Sequence, residues 1–212
     1  MDLLKQLSEQ LQKGDTEQVA RLTHEAIASH IDTKAILDNG LIAGMTVVGA
    51  KFKNHDIFLP DVLLAAKAMY AGLDLLRPLM IKEGIPTIGK VVIGTVQGDL
   101  HDIGKNLVGI MLKGAGFDVI DLGKDVAPER FVETAISERA DVIGLSALLT
   151  TTMPVMQKVI DLAKARGIYG RTRIIVGGAP LSAEYARQIG ADAYCFDGIK
   201  TVECVKGFMG VA

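Results

Sequence analysis

The chain of 212 residues has no tryptophan, two cysteines, six prolines and only 5% aromatic residues. Cys195 and Cys204 are too few for a disulfide scaffold and are wrongly spaced for a zinc site, so a reducing cytoplasm is expected. An excess of one charge is also missing: 23 Lys and Arg stand against 25 Asp and Glu, a formal net charge of -2. Without a basic surplus to hold a phosphate backbone, no nucleic-acid partner is expected. The longest uncharged stretch, Val142 to Gln157 and a little beyond, contains four Ser or Thr residues and a proline. No segment reaches the run of about 18 apolar residues that spans a bilayer, so no membrane association is expected. The opening Met1-Asp2-Leu3-Leu4-Lys5 passes at once into a charged amphipathic pattern, unlike an export signal. What is abundant is aliphatic: 49% hydrophobic residues with 23 glycines predict a core of Ala, Val, Leu and Ile in helices and buried parallel strands.

Residues 1–81 show no strand pattern, and apolar residues recur at helical spacing in Leu3, Leu4, Leu7 and Leu11, then in Val19, Leu22, Ala26 and Ile27. Gly14 closes the first helix, Asp15 and Thr16 can cap the second, and Asp32 or Thr33 caps a third running through Ile36, Leu41, Met45, Val48 and Phe52. Pro60 opens a fourth, whose apolar face is read as Leu63, Leu64, Ala68, Leu73 and Leu76 and whose end is placed near Pro78. Gly40, Gly44 and Gly49 inside the third helix each cost roughly 1 kcal/mol relative to Ala, which calls for close packing of a neighbour. Four helices with short loops predict a small bundle over residues 1–85.

Lys82 to Gly89, with two glycines and Pro86, breaks this periodicity. Beyond it, β-branched runs at 90–95, 118–121, 141–145, 173–176 and 193–195 alternate with helical stretches. That alternation predicts a doubly wound, five-stranded parallel sheet of Rossmann or flavodoxin type over residues 90–212. Ligands of such sheets bind at the carboxyl ends of the strands, which directs attention to the loops after the first, third and fourth.

The loop after the first strand reads Gly98-Asp99-Leu100-His101-Asp102-Ile103-Gly104-Lys105-Asn106. It matches neither a dinucleotide fingerprint nor a phosphate loop. It offers one imidazole beside two carboxylates. A metal-ligating His commonly donates its second ring N–H to a carboxylate, and Asp99 is two residues from His101. Gly104, lacking a side chain, would let a large flat ligand approach the backbone. Asp102 and Lys105 are read as exposed charges, and His24, His30 and His55 as surface residues without a partner.

The Asp-x-His-x-x-Gly pattern of Asp99, His101 and Gly104, placed between a strand and a helix, resembles the cobalamin-binding motif of methionine synthase and the corrinoid methyl-carrier proteins. The third predicted strand is followed by Ser146-Ala147-Leu148 with Thr150 and Thr152, and the fourth by Gly177-Gly178, as in that family. Gly44-Met45 through Gly49, Phe52 and Phe58-Leu59-Pro60 look like the family's helical cap. The resemblance therefore spans nearly the whole chain. It implies a cobalamin cofactor, as methylcobalamin or a related corrinoid, with His101 as the lower axial ligand of cobalt and Asp99 orienting it. It further implies that Ser146, Leu148, Thr150, Gly177 and Gly178 line a slot for the displaced nucleotide tail. Thr152 stands where the family has a Ser extending the His–Asp relay, and Phe52 and Leu59 stand where cap residues shield the upper face.

The function so implied is that of a methyl carrier that is not catalytic alone. It would accept a methyl group through a substrate-specific methyltransferase and pass it to tetrahydrofolate or a thiol through an acceptor methyltransferase, with a reductive activase as a further partner. The alternative is a cobalamin-responsive sensor, which normally needs an output module, and residues 1–81 carry no helix-turn-helix or basic patch.

Overall fold

Aspartates start the first three helices. A computed structural model describes residues 2–85 and 87–211; Met1, Ala212 and Pro86 of the predicted linker lie outside the described residues. Asp2 opens α1 (Leu3–Gln12), its carboxylate accepting the Leu4 N–H at 3.2 Å. Asp15 opens α2 (Thr16–Ala28) through the Gln18 N–H at 3.0 Å, and Asp32 opens α3 (Thr33–Lys53) through the Ala35 N–H at 2.9 Å. Each carboxylate satisfies a helix-end donor that would otherwise lack a partner. At α4 (Leu59–Glu83) the arrangement is reversed: Pro60 sits in the first turn and the Phe58 N–H donates to the Asp61 carboxylate at 2.9 Å.

The four helices bury Leu7, Leu11, Val19, Leu22, Ile36, Leu41 and Leu76 among themselves. Two expectations for α4 are corrected. It runs through Pro78 to Glu83, because the missing proline N–H falls on the exposed side and the helix ends only where Gly84 turns left-handed at φ 64°. Its buried face is Val62, Ala65, Ala66, Ala68, Met69, Gly72 and Leu76, while Leu63 and Leu64 are exposed. Small residues form the contact stripe since they admit a closer helix approach than leucines do: a Cβ on Gly72 would lie 2.8 Å from Leu41. Gly40 and Gly44 pack in this way against α1, but Gly49 has open space around it.

By length and composition α3 is apolar enough to cross a membrane, which revises the expectation that no segment is. The helix is apolar on average even though Asp38 and Asn39 interrupt any strict apolar run. Ile36, Leu37, Leu41, Met45 and Val48 are nonetheless buried, and over Ile36–Ile42 the helix is wound with π geometry.

The second half alternates strands and helices throughout: β1 (Lys90–Thr95), α5 (Ile103–Gly114), β2 (Asp118–Asp121), α6 (Pro128–Ser137), β3 (Val142–Ser146), α7 (Pro154–Ala165), β4 (Arg173–Gly177), α8 (Ala183–Ile189), β5 (Ala193–Tyr194) and α9 (Gly198–Met209). All pairings are parallel, in the order β2-β1-β3-β4-β5. This is the flavodoxin order, whose chain reverses direction of winding between β1 and β3 and leaves a crevice there. Register places Thr95 beside Ser146, and Ser146 beside Gly177, so three strand ends lie level. The chain divides into two units, Met1–Pro86 with Gly114–Gly116 and Thr87–Lys113 with Phe117–Ala212.

Candidate functional site

At the β1/β3 crevice the two strands' loops diverge, and the carboxylate of Asp99 bridges them. It is fully buried. Its Oδ1 accepts the His101 backbone N–H at 3.1 Å and lies 2.8 Å from His101 Nδ1. Its Oδ2 accepts the N–H groups of Leu148 at 2.7 Å and Leu149 at 3.1 Å, and the Thr152 hydroxyl at 2.8 Å. Burial pushes the Asp99 pKa up, but the donors from Leu148, His101 and Thr152 outweigh it and hold the carboxyl well below the usual carboxylate range. Asp99 is therefore charged at neutral pH. A charged acceptor at Nδ1 requires the proton on that nitrogen, which leaves Nε2 as the imidazole's lone-pair nitrogen.

His101 itself is 52% exposed in its side chain. A third anchor, which the sequence reading did not single out, is the buried Thr95, whose hydroxyl donates to the His101 carbonyl at 2.9 Å. The ring is thus fixed by its backbone and by one nitrogen while the other side faces outward. Beside it, a Cβ on Gly104 would meet nothing within 4 Å. At the carboxyl ends of the strands, Leu100, Leu148, Leu149 and Phe196 are exposed on the loops leaving β1, β3 and β5, and Ile103 is exposed at the start of α5. Five large apolar side chains on one sheet edge suit a broad apolar ligand. A single imidazole suits a metal that arrives with its other positions already filled; among the described residues no cluster of three His, Cys, Asp or Glu would hold a bare ion.

Within the sheet unit, the other expected residues lie at this edge in different surroundings. Ser146 is half-buried at the end of β3, Leu148 and Thr150 are exposed in the following turn, and Thr152 is buried against Asp99. Gly177 and Gly178 follow the level of Ser146 on β4. Gly178 has φ 134°, and a Cβ there would lie 1.8 Å from the Ala147 carbonyl oxygen, so the protein's own backbone requires this glycine. In the helical unit Phe52 is half-buried near the end of α3 and Leu59 half-buried at the start of α4. Lys105 departs from expectation: its side chain is 1% exposed, its ammonium bonded to both oxygens of Asp121 at 2.5 and 2.6 Å and to Asn106 at 2.6 Å. The long stem is buried from the first turns of α5 and its charge is met by a carboxylate at the end of β2. His24, His30 and His55 are exposed, as expected.

A doubly wound sheet presenting a carboxylate-anchored, half-exposed imidazole on an apolar edge has the features of a B12-binding domain. The B12 binding domain family matches residues 89–205, and a second B12 binding domain family matches residues 3–77. A corrinoid protein of Desulfitobacterium hafniense is 41% identical over 99% of both chains. Trimethylamine corrinoid protein 2 of Methanosarcina acetivorans is 40% identical over 97% of this chain and 95% of its own. Among solved structures, one chain of the methanol:cobalamin methyltransferase complex from Methanosarcina barkeri superposes with a TM-score of 0.90 at 28% identity, covering 99% of this chain and 80% of that one. A cobalamin-binding protein from Desulfitobacterium hafniense superposes with a TM-score of 0.77 at 28% identity over 98% of both chains. The chain belongs to the corrinoid methyl-carrier family, and its cofactor is a cobalamin-type corrinoid with cobalt.

Proposed function

We propose that this protein carries a methyl group between two methyltransferases in the cytoplasm. It receives the group from a substrate-specific enzyme acting on a small methylated compound, such as the methylamines for which several relatives are named. It delivers it to an acceptor enzyme serving tetrahydrofolate or a thiol, and a reductive activase keeps the cofactor in service. When bound, the cobalt centre supplies the nucleophile that takes up the methyl group and the leaving group that surrenders it.

The protein's own residues supply placement and tuning. Nε2 of His101 would hold the cobalt, since Nδ1 is committed to Asp99. Asp99 fixes the tautomer and the orientation of the ring, and Thr152 and two backbone N–H groups fix Asp99 in turn. Gly104 would leave room for the macrocycle, and the apolar edge would shield it from water. Ser146, Leu148, Thr150, Gly177 and Gly178 are proposed to line the slot for the nucleotide tail. A shielding role for Phe52 and Leu59 belongs to the same proposal.

The observation that carries this reading is the 2.8 Å His101–Asp99 contact on a ring that is otherwise open. Its test is His101→Ala reconstituted with cobalamin beside the wild type, both uniformly labelled with 15N. The cobalt(II) EPR spectrum of the wild type should show hyperfine coupling to a labelled protein nitrogen, and the variant should show none. Labelled-nitrogen coupling that persisted in a folded His101→Ala protein would make another residue the ligand and overturn the assignment.

A further inference from the structure

The turn between β2 and α6 reaches the His101 loop from a different part of the chain. Gly123 and Asp125 both adopt left-handed backbone there, at φ 86° and 56°, and across from them Gly98 does so at φ 84°. Aspartate tolerates that conformation better than most residues, but it remains uncommon outside glycine and is held by its surroundings. At Asp125 the holding contacts point in one direction. Its carboxylate accepts the Gly98 N–H at 2.7 Å, and its own N–H donates to the Asp99 carbonyl at 3.1 Å. The two bonds grip consecutive residues just ahead of His101.

The turn is itself braced against the site strand. Thr95 N–H donates to the Gly123 carbonyl at 2.9 Å and Val126 N–H to the Thr95 carbonyl at 3.0 Å, with Val96 and Val126 paired as an isolated parallel bridge. Gly123 N–H in turn donates to the Asp121 carboxylate that meets Lys105. Asp125 thus stands on a fixed platform and transmits its position to residues 98 and 99. Without the Asp125 carboxylate, the loop keeps the Asp99 N–H bond to the Val96 carbonyl, the Asp99 carboxylate contacts and the Thr95 hydroxyl on His101, but the Gly98 N–H loses its acceptor on Asp125.

We infer that Asp125 is a positioning residue for the cobalt-ligating loop, acting as a two-point clip on Gly98 and Asp99 so that His101 is presented in one orientation before cofactor arrives. This rests on the ligand role proposed for His101. The alternative, that Asp125 only shapes its own turn, makes a different prediction for glycine at this position. Asp125→Gly keeps the left-handed backbone without strain and removes only the carboxylate, whereas Asp125→Asn keeps both an oxygen acceptor and tolerance of the conformation.

The experiment measures the full-length apo protein first. Loss of a charge-assisted bond to a backbone N–H predicts at least roughly tenfold faster hydrogen exchange at Gly98 in Asp125→Gly, with exchange at β3 and β4 unchanged. The same variant should broaden or shift the His101 ring signals in a 15N-histidine spectrum, and Asp125→Asn should restore both. On reconstitution with cobalamin, Asp125→Gly should show protein-nitrogen coupling in a reduced fraction of the cobalt(II) EPR signal. If Asp125→Gly leaves Gly98 exchange and the His101 signals as in the wild type, the clip is refuted whatever the cofactor does. If the apo effects appear while wild-type holoprotein shows no coupling to any labelled nitrogen, the clip on the loop stands and the ligand role of His101 fails.

Discussion

Replacing Asp99 by Asn changes one oxygen to an NH2 group and tests the stability and the chemistry of the site together. All five groups around the carboxylate are donors or face it as donors: two from His101, the N–H groups of Leu148 and Leu149, and the Thr152 hydroxyl. An amide has one acceptor oxygen, so its NH2 must face either the His101 pair or the Leu148 side. If the oxygen keeps the three donors from the β3 loop, the NH2 opposes the His101 N–H and can be accommodated at Nδ1 only by moving the ring proton to Nε2. Charge-assisted bonds contribute about 1.5–3 kcal/mol each and neutral ones about half as much. One bond lost outright and three weakened, offset by no longer burying a charge, give a net destabilisation of about 2–4 kcal/mol. Urea unfolding of the apo protein at neutral pH, followed by circular dichroism, measures that difference. The tautomer change predicts a second result: Nε2 becomes protonated in the 15N-histidine spectrum and affinity for cobalamin falls, because the lone pair has moved to the wrong nitrogen. A variant within about 0.5 kcal/mol of the wild type that kept its proton on Nδ1 would refute the account of Asp99 as the charged hub of both loops.

Acid should reach the same group by another route. Because the folded-state pKa of Asp99 is depressed, its stabilisation is fully present above the ordinary carboxylate value near 4 and is lost as pH falls from there towards the folded-state value. Wild-type stability should therefore fall more steeply than that of Asp99→Asn below about pH 4; parallel slopes in urea titrations at successive pH values would contradict this. Two of the three glycines assigned to the ligand, Gly178 and Gly104, should behave oppositely. Gly178→Ala places its Cβ against the Ala147 carbonyl at φ 134° and should cost about 3 kcal/mol or more, while Gly104→Ala, with nothing in its way, should be neutral or stabilising by up to about 1 kcal/mol. Gly104→Ala should nevertheless bind cobalamin more weakly, read by titration of the absorption spectrum, and unchanged binding would remove the argument that this position is left open for the cofactor.

What the sequence made legible was whatever lies close along the chain or repeats with a period. The β-branched runs at 90–95, 118–121 and 173–176 mark parallel strands with little ambiguity, and observed strand bounds agree within a residue or two. Asp99 and His101 are two residues apart, so a local pattern captures them. The face of α4 was misjudged because leucine outweighs alanine in any hydrophobic count, whereas the helix contact there selects for small size, and Leu63 and Leu64 point outward. Lys105 resembled any solvated lysine until its partner Asp121, 16 residues away, came into view. Asp125 lies 27 residues from Gly98, and the Asp99 bonds to Leu148, Leu149 and Thr152 span 49, 50 and 53 residues.

These distances are a consequence of where the site lies. At a point where β1 and β3 part, the nearest groups to any loop residue come from another strand's loop, and the intervening chain must cross over a helix before returning. A motif confined to one loop can therefore name the ligand but not the groups that aim it. Asp99 joins the two descriptions, since one oxygen serves its own loop and the other serves the loop after β3. The His101 tautomer is thereby a property of the folded sheet and not of the loop alone: an isolated peptide spanning residues 95–106 would retain Asp99 and His101 yet lack the β3-loop donors that hold the carboxylate in place. Orientation of the ligand is for this reason coupled to strand pairing, and loss of the β3-loop donors should disorder the imidazole before it unfolds the protein.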